Sequence, residues 1–278
     1  MNFDPRAVRD FEHAGWQQAA AHYSGTFARA TRGFIDDLLD AARVGPGMRV
    51  LDLACGPGFV AAAAAERGAL AVGLDFSSAM IASARARHPA IRFEESDAEA
   101  LPFAAGSFDA VVANFGIHHV PDPIRALRET HRALRPGGRV AFTTWAAPRE
   151  NIAWKLLFDA VAEHGDMGAA KTPPPGGNLR EPKDLLQVLD AAGFTETEAR
   201  RVRHEWHVAA ARDLLEGFRR GTVRTAALID AQPAAAIVPL PQRIPADLQV
   251  LGNNFQAFLN IVFHQFRLEA VDRHPGLR

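Results

Sequence analysis

The sequence is poor in cysteine, in net charge and in long apolar runs, and each absence narrows the possible functions. Cys55 is the single cysteine, so an intrachain disulfide is excluded and no cysteine cluster is available to bind a metal. The 31 basic and 32 acidic side chains leave a formal net charge of -1, which gives no basic field to attract nucleic acid or an anionic membrane. Charged residues begin at Asp4, and no apolar run is long enough to span a bilayer, so neither a signal peptide nor a membrane anchor is predicted. We expect a cytoplasmic protein without a metal, a monomer or homodimer, that acts on a small molecule.

The most informative stretch is a short apolar run that meets a glycine turn and then an alanine-rich helix. Residues 50–53 are apolar around one acid, Asp52, as in a strand buried on both faces, and residues 61–66 favour a helix. The first backbone N–H groups of such a helix are unpaired and attract an anionic ligand group. Gly56 and Gly58 lack a Cβ atom, so they can adopt positive φ and let a ligand approach the main chain.

A second acid lies where nucleotide-binding α/β units hold a ribose. Residues 70–74 form another apolar run, which ends in Asp75, and we therefore predict an adenosine-containing ligand across the carboxyl ends of two adjacent parallel strands. The spacing Gly56-x-Gly58-x-x-Ala61 also fits nicotinamide dinucleotide enzymes. Asp52 would repel a pyrophosphate at this corner, so it favours a ligand with an ammonium or sulfonium group.

A third acid, Asp97, follows the third predicted strand and is succeeded by Ala98 and Glu99. An aspartate here can accept a hydrogen bond from an adenine amino group, while the next backbone N–H donates to the ring. The alternative is a solvated turn, which is common for one acid alone. Because Asp52 and Asp75 are predicted at the ends of neighbouring strands, we favour ligand binding.

Apolar runs and helical patterns alternate between residues 48 and 145 with little loop between them, which indicates right-handed βαβ units and a doubly wound, mostly parallel α/β sheet. The predicted strands are 49–54, 70–75, 91–95, 108–114 and 139–145, a sixth within 196–208, and a final alternating stretch at 255–263. The predicted helices are 58–67, 77–87, 123–134, 152–163, 182–192 and inserted helices over 211–236. We divide the chain into an N-terminal helical cap (1–44), a cofactor-binding core (45–208), a substrate-side helical insertion (209–250) and a final strand that completes the core (251–278).

Five short motifs occur in order between residues 45 and 146. They are Leu51-Asp52-Leu53-Ala54-Cys55-Gly56-Pro57-Gly58, Gly73-Leu74-Asp75, Asp97-Ala98-Glu99-Ala100-Leu101-Pro102-Phe103, Ser107-Phe108-Asp109 and Leu134-Arg135-Pro136-Gly137-Gly138-Arg139. This order resembles class I S-adenosylmethionine-dependent methyltransferases, in particular the small-molecule branch with a type 11 methyltransferase domain that includes the quinone C-methyltransferases. The resemblance implies a seven-stranded sheet whose last strand is antiparallel, and methyl transfer to O, N or C of a small, possibly aromatic acceptor.

The resemblance also implies which residues bind S-adenosyl-L-methionine. Asp52 and the loop through Ala54, Gly56 and Gly58 would hold the methionine part, and Asp75 would bind the ribose hydroxyls. The first loop glycine of the family is Ala54 here, which we expect to alter the loop slightly without loss of binding. The other implied residues lie at the adenine or at the catalytic end of the site: Phe76, Met80, Asp97, Ala98 and Asn114.

Candidate catalytic residues follow the fourth predicted strand. His118 and His119 fall close to the expected methyl group, and either could act as a base, since an imidazole titrates near neutrality. The alternative is that one histidine bonds the backbone and the other faces solvent. Trp16 and Tyr23 could cover the ligand, with Tyr23 a further catalytic candidate, or could pack in the core.

Substrate choice is assigned to the inserted region, where aromatic and arginine side chains suit a planar and perhaps acidic acceptor. The alternative is that these side chains belong to helices packed on the sheet with an exposed basic face. The residues singled out are Trp145, Trp154, Phe218, Arg219, Arg220 and Arg224. Two other functions stay open at this point. One is a catalytically silent S-adenosylmethionine-binding or partner protein, and the other is a nicotinamide-dependent oxidoreductase.

Overall fold

The strands that carry the predicted site belong to one seven-stranded sheet in the computed structural model, which describes residues 3–177, 179–208, 210–233 and 254–265. The strands are β1 (Arg49–Leu53), β2 (Leu70–Asp75), β3 (Arg92–Glu95), β4 (Phe108–Asn114), β5 (Leu134–Trp145), β6 (Glu198–His207) and β7 (Asn254–Gln265). Their order in the sheet is β3-β2-β1-β4-β5-β7-β6.

The first five strands pair in parallel, and β7 pairs antiparallel with both β5 and β6. The predicted α/β class with a parallel sheet is confirmed. The chain runs outward from β1 to β3 and then returns to place β4 on the other side of β1. Ligands of open α/β sheets bind at such a reversal, beyond the carboxyl ends of the strands.

Helices cover both faces of the parallel strands, as a doubly wound sheet requires. The helices are α1 (Pro5–Tyr23), α2 (Ala28–Arg32), α3 (Ile35–Ala41), α4 (Phe59–Glu66), α5 (Ser78–Arg87), α6 (Pro123–Ala133), α7 (Ile152–His164), α8 (Pro182–Ala191), α9 (Ala211–Gly221) and α10 (Arg224–Asp230). Successive residues of β4 alternate between the faces: Val111 packs in a core with α6 and α8, whereas Val112 packs in a core with α3 and α4. Both are fully buried, which explains the continuous apolar run that β4 shows in the sequence.

The fifth strand differs from its prediction, because it begins at Leu134 rather than at residue 139. Leu134 pairs with Phe108, and the register then shifts so that Arg139 pairs with Ala110. Gly137 adopts a φ of 78° in the intervening bulge. The Pro-Gly-Gly sequence lies after the end of α6 at Ala133, and it forms an irregular segment of the strand instead of a separate loop. The predicted insertion contains α9 and α10 up to Asp230, while residues 234–253 and 266–278 lie outside the described residues.

The N-terminal helix α1 is fixed beside the end of β2. Asp4 caps the helix by accepting a hydrogen bond from the backbone N–H of Arg6 at 2.9 Å, and Pro5 occupies its first turn. Further along, the Oε1 atom of Gln17 accepts hydrogen bonds from the Ser77 hydroxyl and the Ala79 backbone, both at 2.8 Å. These bonds hold α1 against the start of α5. Across the described residues, none of the helices combines the length and the apolar character needed to cross a membrane.

A separate aromatic core lies beyond the end of β5. Phe27 is at its centre, with ring centroids of Trp145, Trp154, Trp206 and Phe218 at 5.6 to 5.7 Å. Edge-to-face packing of this kind adds to the stability gained from burial alone. The core joins the segment after α1 to α7 and α9, and so fixes the inserted helices over the carboxyl end of the sheet.

Candidate active site

The turn after β1 adopts a backbone conformation that favours glycine. Ala54, Gly56 and Gly58 have φ values of 56°, 52° and 82°. Ala54 is tolerated because Gly116 gives it room: a Cβ atom on Gly116 would lie 2.5 Å from the Cβ atom of Ala54. The space for the Ala54 side chain is thus provided by a glycine in the loop after β4.

Gly58 has a different role from the one its position in the motif suggests. A Cβ atom there would lie 2.6 Å from the ring of Phe93 on β3 and 3.3 Å from Ala84 on α5. The absence of a side chain therefore lets α4 pack against the sheet. Gly56 lines the cavity that is described in the next paragraph, whereas Gly58 is not among its described lining residues.

Three carboxylates meet at one cavity, which we call the acidic cavity, lined by Asp52, Asp75 and Asp97 at the ends of β1, β2 and β3. It brings together most of the residues predicted for ligand binding: Trp16, Tyr23, Asp52, Ala54, Gly56, Asp75, Phe76, Met80, Asp97, Ala98, Asn114 and His119. Sequence reasoning did not identify several other lining residues, among them Arg9, Thr31 and Phe59.

Asp75 is held by backbone donors on two sides. Its Oδ2 atom accepts a hydrogen bond from the Gly56 N–H at 2.8 Å, and its Oδ1 atom accepts one from the Ser77 N–H at 2.9 Å. Burial raises the pKa of Asp75 to about 6, although the backbone hydrogen bonds act in the opposite direction. The carboxylate is therefore rigidly placed, and each oxygen can still accept from a ligand hydroxyl.

Asp52 has fewer hydrogen-bond donors than Asp75 among the described residues, and its pKa is raised further. Its Oδ2 atom accepts a hydrogen bond from the Ala61 N–H at 2.9 Å, but its buried Oδ1 atom has no partner within the described part of the chain. Burial, and to a smaller extent the proximity of Asp75, raise the pKa of Asp52 to about 8. A buried acceptor without a donor is costly, and a cationic ligand group would remove this cost.

Asp97 is paired with the N-terminal helix. It forms an ion pair with Arg9 of α1, and its Oδ1 atom accepts a hydrogen bond from the Glu99 N–H at 2.9 Å. Arg9 also lies 3.5 Å from the buried carboxylate of Glu99. This ion pair closes the acidic cavity on the side of Asp97 and Ala98.

His119 and His118 differ sharply although they are adjacent. The Nδ1 atom of His119 donates to Glu12 Oε2 at 2.9 Å, and His119 contributes to the acidic cavity. Glu12 is fully buried on α1 and also accepts from Arg224 Nε at 2.6 Å. Burial acts to raise the pKa of Glu12, but His119 and Arg224 outweigh it, so the pKa is lowered and Glu12 is ionised. His118 does not line the acidic cavity, and burial lowers its pKa well below the usual range, which keeps its ring neutral.

Glu12 was not identified from the sequence. The signal that could have found it is a charged side chain on the inward face of an amphipathic helix, where Val8 and Ala19 are buried beside it. A buried acid at such a position needs a cationic or hydrogen-bonding partner.

Asn114 and Tyr23 line the acidic cavity with side chains that are already bonded. Asn114 donates to the Thr31 carbonyl at 3.0 Å and accepts from the Thr143 hydroxyl at 2.8 Å. The Tyr23 hydroxyl lies 3.0 Å from Thr31 Oγ1, and burial raises its pKa to about 12. Tyr23 therefore remains protonated near neutral pH, which leaves it the role of a hydrogen-bond donor rather than that of a base.

A second cavity of about 630 Å³, which we call the aromatic cavity, adjoins the acidic cavity. The two share wall residues, namely Trp16, Tyr23, Thr31, Phe115 and His119. Of the residues predicted to select the substrate, Trp145, Trp154 and Arg224 line the aromatic cavity. Phe218 is buried behind Trp154 with ring centroids 4.8 Å apart, while Arg219 and Arg220 are exposed and pair with Asp230 and Glu216. Across the described residues, no group of three or more His, Cys, Asp or Glu side chains could hold a metal.

Comparison with known proteins gives the class. Residues 51–142 match the family model described as a methyltransferase domain. A demethylmenaquinone methyltransferase of Thermus thermophilus is 37% identical over 163 residues, which cover 53% of this chain and 74% of that protein. The chain therefore belongs to the methyltransferase-domain family.

Two further comparisons define how far the similarity extends. A demethylmenaquinone methyltransferase of Beutenbergia cavernae is 44% identical over 110 residues, which cover 40% of this chain and 46% of that protein. The match with this relative thus spans less than half of its length. A solved structure of Haemonchus contortus phosphoethanolamine N-methyltransferase 2 in complex with S-adenosyl-L-methionine covers 85% of this chain and 53% of that one, with a TM-score of 0.53 and 21% identity. This likeness shows a shared fold.

Proposed function

We propose that the chain is an S-adenosylmethionine-dependent methyltransferase that transfers a methyl group to O, N or C of a small aromatic acceptor. One observation carries the proposal: three carboxylates from the ends of neighbouring strands line one cavity, and that cavity adjoins a larger one with aromatic walls. The seven-strand order, with β7 antiparallel between β5 and β6, also supports the finer assignment to this methyltransferase fold.

The residues of the acidic cavity fit an adenosyl sulfonium compound. The Oδ1 atom of Asp52 is buried, with no hydrogen-bond partner in the described ranges of the chain, which suits the ammonium or sulfonium charge of the methionine part. Asp75 would accept hydrogen bonds from the ribose hydroxyls, and Phe76 and Met80 would lie beside the adenine. Asp97 and the backbone of Ala98 would bind the adenine edge, which requires Arg9 to release or share the Asp97 carboxylate.

The bound cofactor would supply an electrophilic methyl group, so the protein has to orient the acceptor, exclude water and remove a proton where the acceptor atom carries one. His119 is the proposed base. Glu12 holds its Nδ1–H, which leaves Nε2 as the basic atom, and the imidazole ring lies in the wall between the two cavities. Where the acceptor atom carries a proton, that proton would pass to the Nε2 atom of His119.

Two relatives support an aromatic acceptor, because both are named as demethylmenaquinone methyltransferases. The match to the family model ends at residue 142, before α7 and α10, which form part of the wall of the aromatic cavity. Much of the wall that would select the acceptor therefore lies outside the family match, although Phe115, His118 and His119 lie within it.

The proposal is tested by calorimetry followed by product analysis. The purified chain is titrated with S-adenosylmethionine and, separately, with a nicotinamide dinucleotide, and it is then incubated with methyl-labelled cofactor and a panel of phenols, quinols and aromatic amines. We expect binding of the sulfonium compound alone and transfer of label to at least one acceptor. Binding without transfer to any acceptor would instead support a silent cofactor-binding protein, and binding of the dinucleotide alone would support an oxidoreductase.

A further inference from the structure

The aromatic cavity has a cationic wall. Among the described residues that line it, the side chains with a permanent charge are Arg180 and Arg224, and no carboxylate is present. Glu12 reaches Arg224 from behind this wall, through the Nε atom of the guanidinium. The described wall would therefore attract an anion and repel a cation.

Three residues of this wall carry a buried polar atom for which the described residues provide no hydrogen-bond partner. These atoms are Arg224 Nη2, His118 Nδ1 and Thr144 Oγ1. Buried polar atoms in folded proteins are almost always paired, so three orphan atoms around one cavity require an explanation. Each of these atoms is withdrawn from solvent and belongs to a residue that lines the cavity.

Arg224 is positioned for such a ligand. Its Nε atom donates to Glu12 at 2.6 Å and its Nη1 atom donates to the Pro173 carbonyl at 2.6 Å, so the orientation of the guanidinium plane is fixed. The remaining Nη2 atom has no hydrogen-bond partner among the residues that the structure describes. Arg180 lines the same wall, and burial together with the nearby charge of Arg224 lowers the pKa of Arg180.

The rest of the wall suits a flat ring. Phe115 and Trp145 stack with ring centroids 3.9 Å apart and an angle of 24° between their planes. Trp154 lies beside Trp145, with centroids 4.8 Å apart. At about 630 Å³ the cavity is large enough for a bicyclic molecule, since ligand pockets are typically about 300–1,000 Å³.

Building on the proposed methyltransferase function, we infer that the acceptor is a planar aromatic acid. Its ring lies against Phe115, Trp145 and Trp154, and its carboxylate binds Arg224 at the side of the cavity that Arg180 also lines. A hydroxyl or carbonyl group on the ring meets His118 and Thr144.

The test measures binding, so that it does not depend on turnover. Calorimetric titrations use 2-naphthoate, 2-naphthol and 2-naphthylmethylamine, which share one ring system and differ in charge, with and without saturating S-adenosylhomocysteine. We expect the naphthoate to bind at least about tenfold more tightly than the naphthol, as a charge-assisted hydrogen bond implies, and the amine to bind most weakly. Equal affinities for the naphthoate and the naphthol, or tightest binding of the amine, would overturn the inference.

Variants locate the anion site. Arg224→Gln and, separately, Arg180→Gln should reduce the preference for naphthoate over naphthol, whereas Arg220→Gln, on the exposed face of α9, should leave it unchanged. A loss of preference as large in Arg220→Gln as in Arg224→Gln would contradict the assignment, and the melting temperature of each variant shows whether it is folded. If S-adenosylhomocysteine itself fails to bind, the proposed methyl transfer fails, while the naphthoate titration without it still tests the cationic wall.

Discussion

Glu12 and His119 are 107 residues apart in the sequence, yet their Oε2 and Nδ1 atoms lie 2.9 Å from each other. The same carboxylate accepts from Arg224 at 2.6 Å through its other oxygen. One buried acid on α1 therefore connects the proposed base to the proposed anion site of the aromatic cavity. Helix α1 therefore contributes a side chain to the candidate site and does not only cover the cavity.

The first prediction concerns this pair. His119→Ala should lower kcat strongly, because a positioned base contributes about 10²–10⁴-fold, while the dissociation constant of S-adenosylmethionine should change much less. Glu12→Gln keeps the shape but removes the charge that orients the imidazole, so kcat should fall about tenfold or more. Steady-state kinetics and cofactor titration measure the two effects separately.

A double variant distinguishes positioning from general damage to the fold. If Glu12 acts on kcat through His119, adding Glu12→Gln to His119→Ala should lower kcat little further. Additive losses in kcat, or an equal loss of cofactor affinity in either single variant, would contradict the assignment. If KM for an acidic acceptor rises in Glu12→Gln but not in His119→Ala, the increase would be due to the contact between Glu12 and Arg224.

Asp52 allows a test of charge recognition. Asp52→Asn preserves an acceptor for the Ala61 N–H but removes the negative charge, so affinity for S-adenosylmethionine and S-adenosylhomocysteine should fall about tenfold or more. Affinity for methylthioadenosine, which lacks the amino-acid part, should be nearly unchanged. Equal weakening of all three ligands would show that Asp52 supports the loop and does not recognise the methionine part.

The pKa values of the buried acids predict a pH dependence. Burial raises the pKa of Asp52 to about 8 and that of Asp75 to about 6, so both acids bind protons more tightly in the folded chain than in the unfolded chain. Between these values and the ordinary aspartate pKa of about 3.9, the folded state holds more protons, and stability without ligand should therefore fall as pH rises through that window. Thermal unfolding from pH 5 to pH 8 measures this trend.

Cofactor affinity should show the opposite trend. A cationic ligand needs ionised carboxylates, so affinity should rise from pH 6 to pH 8, and binding at pH 7 should release protons as Asp52 ionises. Calorimetry in buffers of different ionisation enthalpy counts the released protons. In Asp52→Asn this release should largely disappear, and an unchanged proton count in that variant would place the titrating group elsewhere.

The parallel part of the fold and the three acids could be predicted because their signals are local. Strands β2 and β4 have the bounds expected from their apolar runs, and Asp52 and Asp75 lie at or near strand ends, where parallel pairing brings them to one edge of the sheet. The start of β5 could not be predicted, because it depends on a pairing between Leu134 and Phe108 across a bulge.

The rest of the site depends on tertiary packing. Arg9 and Asp97 are 88 residues apart in the sequence, and they meet only because α1 lies across the end of the sheet. His118 and His119 occupy one short 3-10 turn, and the sequence gives no sign that only His119 lines the acidic cavity. In the same way, the motif does not distinguish Gly58, which is needed for packing against Phe93, from Gly56, which lines the acidic cavity.

The last prediction concerns Ala54 and Gly116, whose packing sets the loop after β1. Ala54 has a φ of 56°, a conformation that costs a non-glycine residue about 1–2 kcal/mol. Ala54→Gly relieves that strain in the folded state, but the greater conformational entropy of glycine stabilises the unfolded chain by about 0.4–1 kcal/mol. The free energy of unfolding should therefore change little or rise slightly. Gly116→Ala places a Cβ atom 2.5 Å from that of Ala54 and should destabilise by about 1–3 kcal/mol.

The double variant isolates the contact between the two residues. With Ala54→Gly in place, the new methyl group of Gly116→Ala occupies the space that the Ala54 side chain has left, so part of the lost stability should return. Chemical denaturation of the four proteins gives the coupling free energy, which we expect to be at least about 1 kcal/mol in the stabilising direction. Strict additivity would mean that Gly116 is required by its contact with the Leu53 carbonyl, 3.4 Å from the added Cβ atom, and that Ala54 is accommodated independently.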